Sequence, residues 1–223
     1  MAERVIFHVD ANSAFLSWTA VYRLKVLGET VDLREIPSVI AGDKESRHSI
    51  ILAKSGPAKK YGIQTGEPLF QALEKCPDLV VIPPDYELYV EASRHFVEML
   101  RQFSPKVEQY SIDEAFLSIE LVFDYRQWGE ALVKKIGMWT GMPVSIGMAP
   151  TRTLAKAAVW FAKKWKGYNK VCIIENEEQR EKALKSLPIE EVWGIGWRGK
   201  SKCDYYGIKN AFGFTYKSGS WVR

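Results

Sequence analysis

Three carboxylates stand out by type and setting: Asp10, at the end of the apolar run Val5-Ile-Phe-His-Val, and the adjacent pair Asp113-Glu114. An adjacent acidic pair ordinarily marks a solvated turn. Here Tyr110, Ile112, Ala115 and Phe116 flank the pair, so its charges are partly buried and costly without cations. Mg²⁺ resolves that cost, because it takes hard oxygen ligands in an octahedron and keeps positions for water and substrate phosphate. Asp10, Asp113 and Glu114, with the backbone carbonyl of Ala11, form a suitable cage. Two such ions support in-line phosphoryl transfer, one activating a hydroxyl and the other neutralising a leaving diphosphate. His8, His48 and His95 lack obvious partners and read as structural or surface residues, and no Ser-His-Asp or Cys-His arrangement is evident.

The pattern around these residues predicts how they are held. Val5 to Val9 reads as a buried strand that delivers Asp10 at its C-terminal end, and an amphipathic helix follows from Asn12 to about Leu27. Residues 31–55 read as extended segments, Glu67 to Lys75 as a short helix closed by Pro77, and Leu79 to Ile82 as a strand. Asp85 to Phe103 spaces Leu88, Ala92, Phe96, Met99 and Leu100 along one helical face. Lys106 to Tyr110 and Ala115 to Ile119 form a hairpin with the acidic pair at its tip. A helix over Arg126 to Trp139, a strand at Pro143 to Met148 and a helix from Thr151 to Trp165 complete the series. With the segment between the Asn12 helix and Asp85 set aside as an insertion, the order β-α-β-β-α-β is that of ferredoxin-like sheets, in which Asp10 lies beside Asp113 and Glu114. The expected fold class is therefore α+β.

The helix from Thr151 carries Arg152, Lys156 and Lys163 within about 40° on its wheel. Beside a site that releases diphosphate, such a stripe neutralises phosphates; on its own it is equally a solvated basic face. Beyond Gly167 come a strand, a helix over Glu178 to Leu187, and two glycine turns, Gly194-Ile-Gly196 and Tyr206-Gly, around a basic helix, the pattern of a helix-hairpin-helix. Residues 1–150 hold 16 Lys and Arg against 20 Asp and Glu, and residues 151–223 hold 15 against 7, a shift from −4 to +8 that suits a phosphate-rich partner. No apolar tract is long enough to span a membrane, the N-terminal run is too short for a signal peptide, and Cys76, Cys172 and Cys203 lack the spacing of a disulfide framework or zinc site. A reducing cytoplasm is the expected compartment.

The motifs His8-Val-Asp-Ala-Asn-Ser-Ala-Phe, Tyr110-Ser-Ile-Asp-Glu-Ala-Phe and Leu154-Ala-Lys-Ala-Ala with Phe161-Ala-Lys, in that order and spacing, resemble those of Y-family translesion DNA polymerases. Tyr86-Glu-Leu-Tyr, Phe161-Ala-Lys-Lys-Trp and Val192-Trp-Gly-Ile-Gly are most similar to the UmuC branch. The resemblance implies a palm from residues 1–15 and 80–166, fingers at 16–79, a thumb at 167–223 and two Mg²⁺ ions on Asp10, Ala11, Asp113 and Glu114. It implies nucleotide contacts from Phe15, a steric gate against a 2′-hydroxyl, from Lys163, and from Lys59, which stands where the family has an arginine. Gly56 replaces a tyrosine of the triphosphate clamp, and Lys54, Arg47 or Lys60 would compensate. Arg152, Lys156, Gly194, Gly196, Arg198, Lys200 and Lys202 are the expected DNA contacts. Gly199 and Cys203 replace branched apolar residues, which implies looser packing in the thumb.

The function implied is template-directed, low-fidelity DNA synthesis on damaged templates, with primed DNA and deoxynucleoside triphosphates as partners. The family's little-finger domain would lie beyond Arg223, as would contacts to a sliding clamp or accessory repair proteins, so the chain is expected to be a fragment or a short form. Two rivals stand beside this reading: a polymerase-like module that only docks on DNA, and another palm enzyme such as a nucleotide cyclase.

Overall fold

The computed structural model describes residues 5–43, 48–119 and 124–222. The chain opens with β1 (Val5–Ala11) and α1 (Ala14–Lys25), then builds β2 (Ser38–Ala41), β3 (Ile51–Lys54), α2 (Gly56–Lys60), α3 (Leu69–Lys75) and β4 (Val80–Ile82). It continues with α4 (Tyr86–Arg101), β5 (Val107–Gln109), β6 (Glu114–Ile119), α5 (Tyr125–Thr140), β7 (Val144–Ala149), α6 (Arg152–Lys164) and β8 (Val171–Ile173). Four helices close it: α7 (Glu177–Ser186), α8 (Trp197–Tyr205), α9 (Ala211–Thr215) and α10 (Gly219–Val222).

The main sheet runs β5-β6-β1-β7-β8. Its first four strands have the ferredoxin-like order expected from the sequence, with β1 antiparallel to both β6 and β7. β1 is central and nearly continuous in burial because helices cover both faces. Phe7, Val9, Leu117 and Ile146 face the core shared with Phe96 and Leu100 of α4 and with Leu132 and Ile136 of α5. Each such side chain contributes about 2 kcal/mol by burial. On the other face α6 lies directly on β7, because Gly147 has no Cβ: one built there would stand 2.0 Å from the Ala155 carbonyl oxygen. The helices start where the sequence provides caps, with Asp85, Asp124 and Thr151 accepting from the amides of Leu88, Gln127 and Leu154.

Two short strands lie near the expected domain boundaries. β4, at the start of the residues expected to form the palm, pairs in parallel with β2 in a separate three-stranded sheet, β3-β2-β4. Its Val80 and Ile82 pack with Leu33, Ile40 and Ala53. β8, among the residues expected to form the thumb, is the fifth strand of the main sheet, parallel to β7; Val171 joins the core under that sheet and Cys172 packs beneath α6. The small sheet and the main sheet share α1, whose Ala14 and Trp18 enter the core of the main sheet while Leu16 and Ala20 enter the core of the small sheet.

In the last segment a 3-10 turn at Ile189–Glu191 leads through Gly194, at φ 92°, to α8, and Gly207, at φ 73°, turns the chain toward α9. The loose packing expected from Gly199 and Cys203 is not what the structure has. Cys203 is buried with Ile189 and Ile208, and Gly199 leaves room for Ile195, whose Cγ2 would be 3.1 Å from an added Cβ.

Candidate active site

β1 and β6 bring the three carboxylates together. Asp10 is paired in register with Glu114 across the ladder, and the Ala11 amide donates to the Asp113 carbonyl at 2.9 Å. Asp113 sits in the bend just before β6. Its Oδ1 accepts from Ser111 Oγ at 2.7 Å, and α4 braces the same bend through Ser93, whose hydroxyl donates to the Ile112 carbonyl at 2.5 Å and accepts from Gln109 Nε2. The hairpin tip is therefore held by hydrogen bonds from three elements.

The basic stripe of α6 faces the sheet. Lys163 Nζ donates to Asp10 Oδ1, and Lys156 Nζ donates to Glu114 Oε2, both at 2.5 Å. Arg152 forms a two-pronged pair with Glu108 at 2.8 and 2.5 Å, farther along the sheet. Asp10 is only 7% exposed. Its burial raises the carboxyl's pKa, against the pull of Lys163, and the neighbouring Glu114 and Asp113 add to the rise. Glu114 behaves oppositely: burial works against its charge, but His8 and Lys156 outweigh it and hold the carboxyl down to about 2. His8, read from sequence as structural, is fully buried and brings Nε2 to 3.4 Å from Glu114 Oε2, longer than a good hydrogen bond. Nothing in the sequence pattern signals that contact beyond the even spacing that puts His8 and Asp10 on one face of β1.

These groups suit hard divalent cations. Three carboxylates cluster, two of them neutralised by ammonium groups that stand where cations would be needed. Among the described residues no three acidic, His or Cys side chains converge tightly enough to hold an ion as they stand. Asp10 and Glu114 are turned onto Lys163 and Lys156, and Asp113 onto Ser111, so cation binding requires those contacts to exchange.

The carboxylates line a cleft of about 350 Å³, together with Ala11, Ser13, Ala14, Phe15, Leu52, Ala53, Lys54, Thr65 and Lys163. Phe15 is placed at its wall by Ser13, the left-handed N-cap of α1 at φ 47°. Its ring stacks on Tyr89 at 4.3 Å and 10°. Thr19 Oγ1 donates to the Phe15 carbonyl, which leaves the Tyr89 hydroxyl to donate to Thr19. The stack is thus fixed from behind while one edge faces the cleft.

Other expected residues fall elsewhere. Lys59 is exposed on α2 and does not line the cleft; Lys54, on β3, does, and its pKa is lowered by burial and then by the nearby Lys59. Gly56 opens α2 with empty space around its missing Cβ. Arg47 lies outside the described residues. In the C-terminal segment, Lys200 is paired with Asp204 at 2.9 Å and Glu190 at 3.7 Å, and Lys202 donates to the Trp221 carbonyl. Arg198 lies over the ring of Trp197. Of the expected DNA contacts, Lys156 alone touches one of the three clustered carboxylates. Thr65, Leu52 and Ala53 escaped the sequence reading because apolar and small cleft walls carry no chemical signature.

Residues 9–159 match the pattern of the impB/mucB/samB family. The chain is 42% identical over 211 residues to the DNA polymerase IV of Clostridium acetobutylicum, covering 92% of this chain and 51% of that protein. It is 34% identical to Protein SamB of Salmonella typhimurium, covering 96% and 50%, and 32% identical to Protein UmuC of the same species, covering 96% and 49%. The chain thus spans about half the length of the curated relatives it matches. The fold is shared with the structure titled "Insertion ternary complex of Dbh DNA polymerase", at a TM-score of 0.79 and 21% identity over 98% of this chain and 62% of that one. Fold, motif order and matched residues agree, and the chain belongs to the impB/mucB/samB family.

Proposed function

We propose that this chain carries the palm, fingers and part of the thumb of a DNA polymerase that adds deoxynucleotides to a primed template with low fidelity and copies damaged templates. The observation that carries this reading is the cleft itself, in which Asp10, Asp113 and Glu114 face Phe15, Lys54 and Lys163. Asp10, Asp113 and Glu114 with the Ala11 carbonyl would hold two Mg²⁺ ions, which when bound supply an activated primer hydroxyl and neutralise the leaving diphosphate. Lys163 and Lys54 meet triphosphate charge at the cleft wall, and Lys163 is freed from Asp10 when that carboxylate takes a cation. Phe15 sets the room for the sugar, its ring backed by Tyr89 so that it does not yield to a 2′-hydroxyl. The open cleft and small three-stranded sheet offer few groups to test the shape of the nascent pair, which fits low fidelity.

Family membership sets the nucleotide cyclase aside, and the three carboxylates in one cleft favour turnover over mere docking. A cytoplasmic setting fits three buried free cysteines, and among the described residues no helix is long and apolar enough to cross a membrane. Primer extension on an intact and a lesion-bearing template, with Mg²⁺ and with chelator, tests the reading. Metal-dependent addition of deoxynucleotides is expected. Absence of addition with Mg²⁺ under conditions where the chain binds primed DNA would sink it.

A further inference from the structure

One thumb side chain reaches the hairpin that carries two of the catalytic carboxylates. Trp193 immediately precedes the Gly194 turn, and its indole Nε1 donates to the Tyr110 hydroxyl at 2.9 Å. The rings meet edge to face at 5.2 Å and 87°, and Trp193 also lies 5.9 Å from Phe116 on β6. Tyr110 is itself tied to the site, since its amide donates to the Glu114 carbonyl at 3.0 Å. Into this corner Lys156 extends its ammonium, 4.8 Å from the Tyr110 ring centre and 5.7 Å from that of Trp193, while donating to Glu114 Oε2. One cation therefore has a carboxylate on one side and two aromatic rings on the other.

If Glu114 binds a divalent ion, the Lys156 ammonium loses its partner and meets a like charge. Rings carry a negative face and attract an ammonium without competing for the metal. We propose that Trp193 is a positioning residue: it hooks the thumb onto Tyr110 and, with Tyr110, forms the aromatic seat that keeps Lys156 beside the site when Glu114 is given over to a cation. The inference rests on Asp10, Asp113 and Glu114 being cation ligands. It assigns two distinct jobs to the indole, a donor to Tyr110 and a face for Lys156, so the conservative change Trp193→Phe keeps the second and removes the first.

The test uses the whole chain with ¹⁵N-labelled tryptophan indoles, the Trp193 signal being assigned by its loss in Trp193→Phe. Tyr110→Phe should shift that signal with the melting temperature unchanged. Titration with Mg²⁺ alone should move it in the wild type and leave it still in Lys156→Met. In primer extension, Trp193→Phe and Tyr110→Phe should each lower the rate of nucleotide addition about five-fold, the worth of one neutral hydrogen bond, at unchanged KM for nucleotide. The double variant should be no slower than either, because both remove the same bond. A Trp193 signal indifferent to Tyr110→Phe, one that ignores Mg²⁺, or additive rate losses overturn the proposal. A wild type that binds Mg²⁺ and shows both spectral responses but extends no primer overturns the polymerase reading and supports the latch.

Discussion

Lys163 and Asp10, 153 positions apart in sequence, meet at 2.5 Å because α6 lies flat against the strand that carries the aspartate. The lysine neutralises a buried carboxylate here and, on the function proposed above, would turn to phosphate once that carboxylate is otherwise neutralised.

Removing a carboxylate should therefore stop chemistry without unfolding the chain. Asp113→Ala and Glu114→Ala are expected to lower nucleotide addition by about 10³-fold, the scale of losing a group that stabilises developing charge. The melting temperature of Asp113→Ala should stay near that of the wild type, since Asp113 is only partly buried; Glu114→Ala should melt somewhat lower, because Lys156 and His8 lose the carboxylate they hold charged. Near-normal incorporation in either variant would remove it from the metal assignment.

Phe15→Ala opens the cleft wall where the proposed function puts the sugar. Ribonucleotide incorporation relative to deoxynucleotide should rise, and stability should fall by about 2 kcal/mol from the lost stack on Tyr89. Side-by-side extension with the two nucleotide classes decides it; equal discrimination in both proteins returns Phe15 to a packing role.

The positions of Lys54 on β3 and Lys59 on α2 predict unequal effects. Lys54→Ala is expected to raise the KM for nucleotide about ten-fold, comparable to Lys163→Ala, because both line the cleft. Lys59→Ala should change it less than about two-fold, acting only through screened charge. The reverse order would restore Lys59 as the main phosphate contact.

Gly147→Ala places a methyl group against the backbone of α6, 2.0 Å from the Ala155 carbonyl oxygen and 2.5 Å from the Val159 nitrogen. Backbone cannot rotate away, so a loss of about 3 kcal/mol is expected in chemical denaturation, together with reduced activity as α6 and its lysines lift from the sheet. A variant as stable as the wild type would mean that α6 sits less closely than described.

Cys172 is buried beneath α6, and burial pushes its thiol up to about 11. Below pH 9 almost none of it is thiolate, the form that reacts. Maleimide or disulfide reagents at pH 8 should leave Cys172 untouched in the native chain and label it in denaturant. Fast native labelling, located by peptide mapping, would contradict the burial.

Much of this was legible in the sequence for a physical reason. Strands and helices of the main sheet and its covering layer obey their own periods, so Val5 to Ala11 and Tyr86 to Arg101 declare themselves, and the hairpin that holds Asp113 and Glu114 follows from short-range spacing. The two strands whose sheet the sequence leaves open, β4 and β8, are three residues each. Their pattern fits any sheet edge, and only long-range pairing selects one. Charge told less than expected: Lys200 and Lys202 count toward a basic segment, but neighbours that composition cannot see, Asp204, Glu190 and the Trp221 carbonyl, already engage them. His8 shows the converse, since a residue with no sequence partner within reach finds Glu114 across the ladder.

The helix α1 has two cores on its two sides, and Phe15 touches both. A change in how one core packs is therefore felt by the other through this one helix. On the function proposed above, a substitution at Leu16 or Ala20, which pack in the core of the small sheet, would alter discrimination against ribonucleotides without touching a single group that meets the sugar.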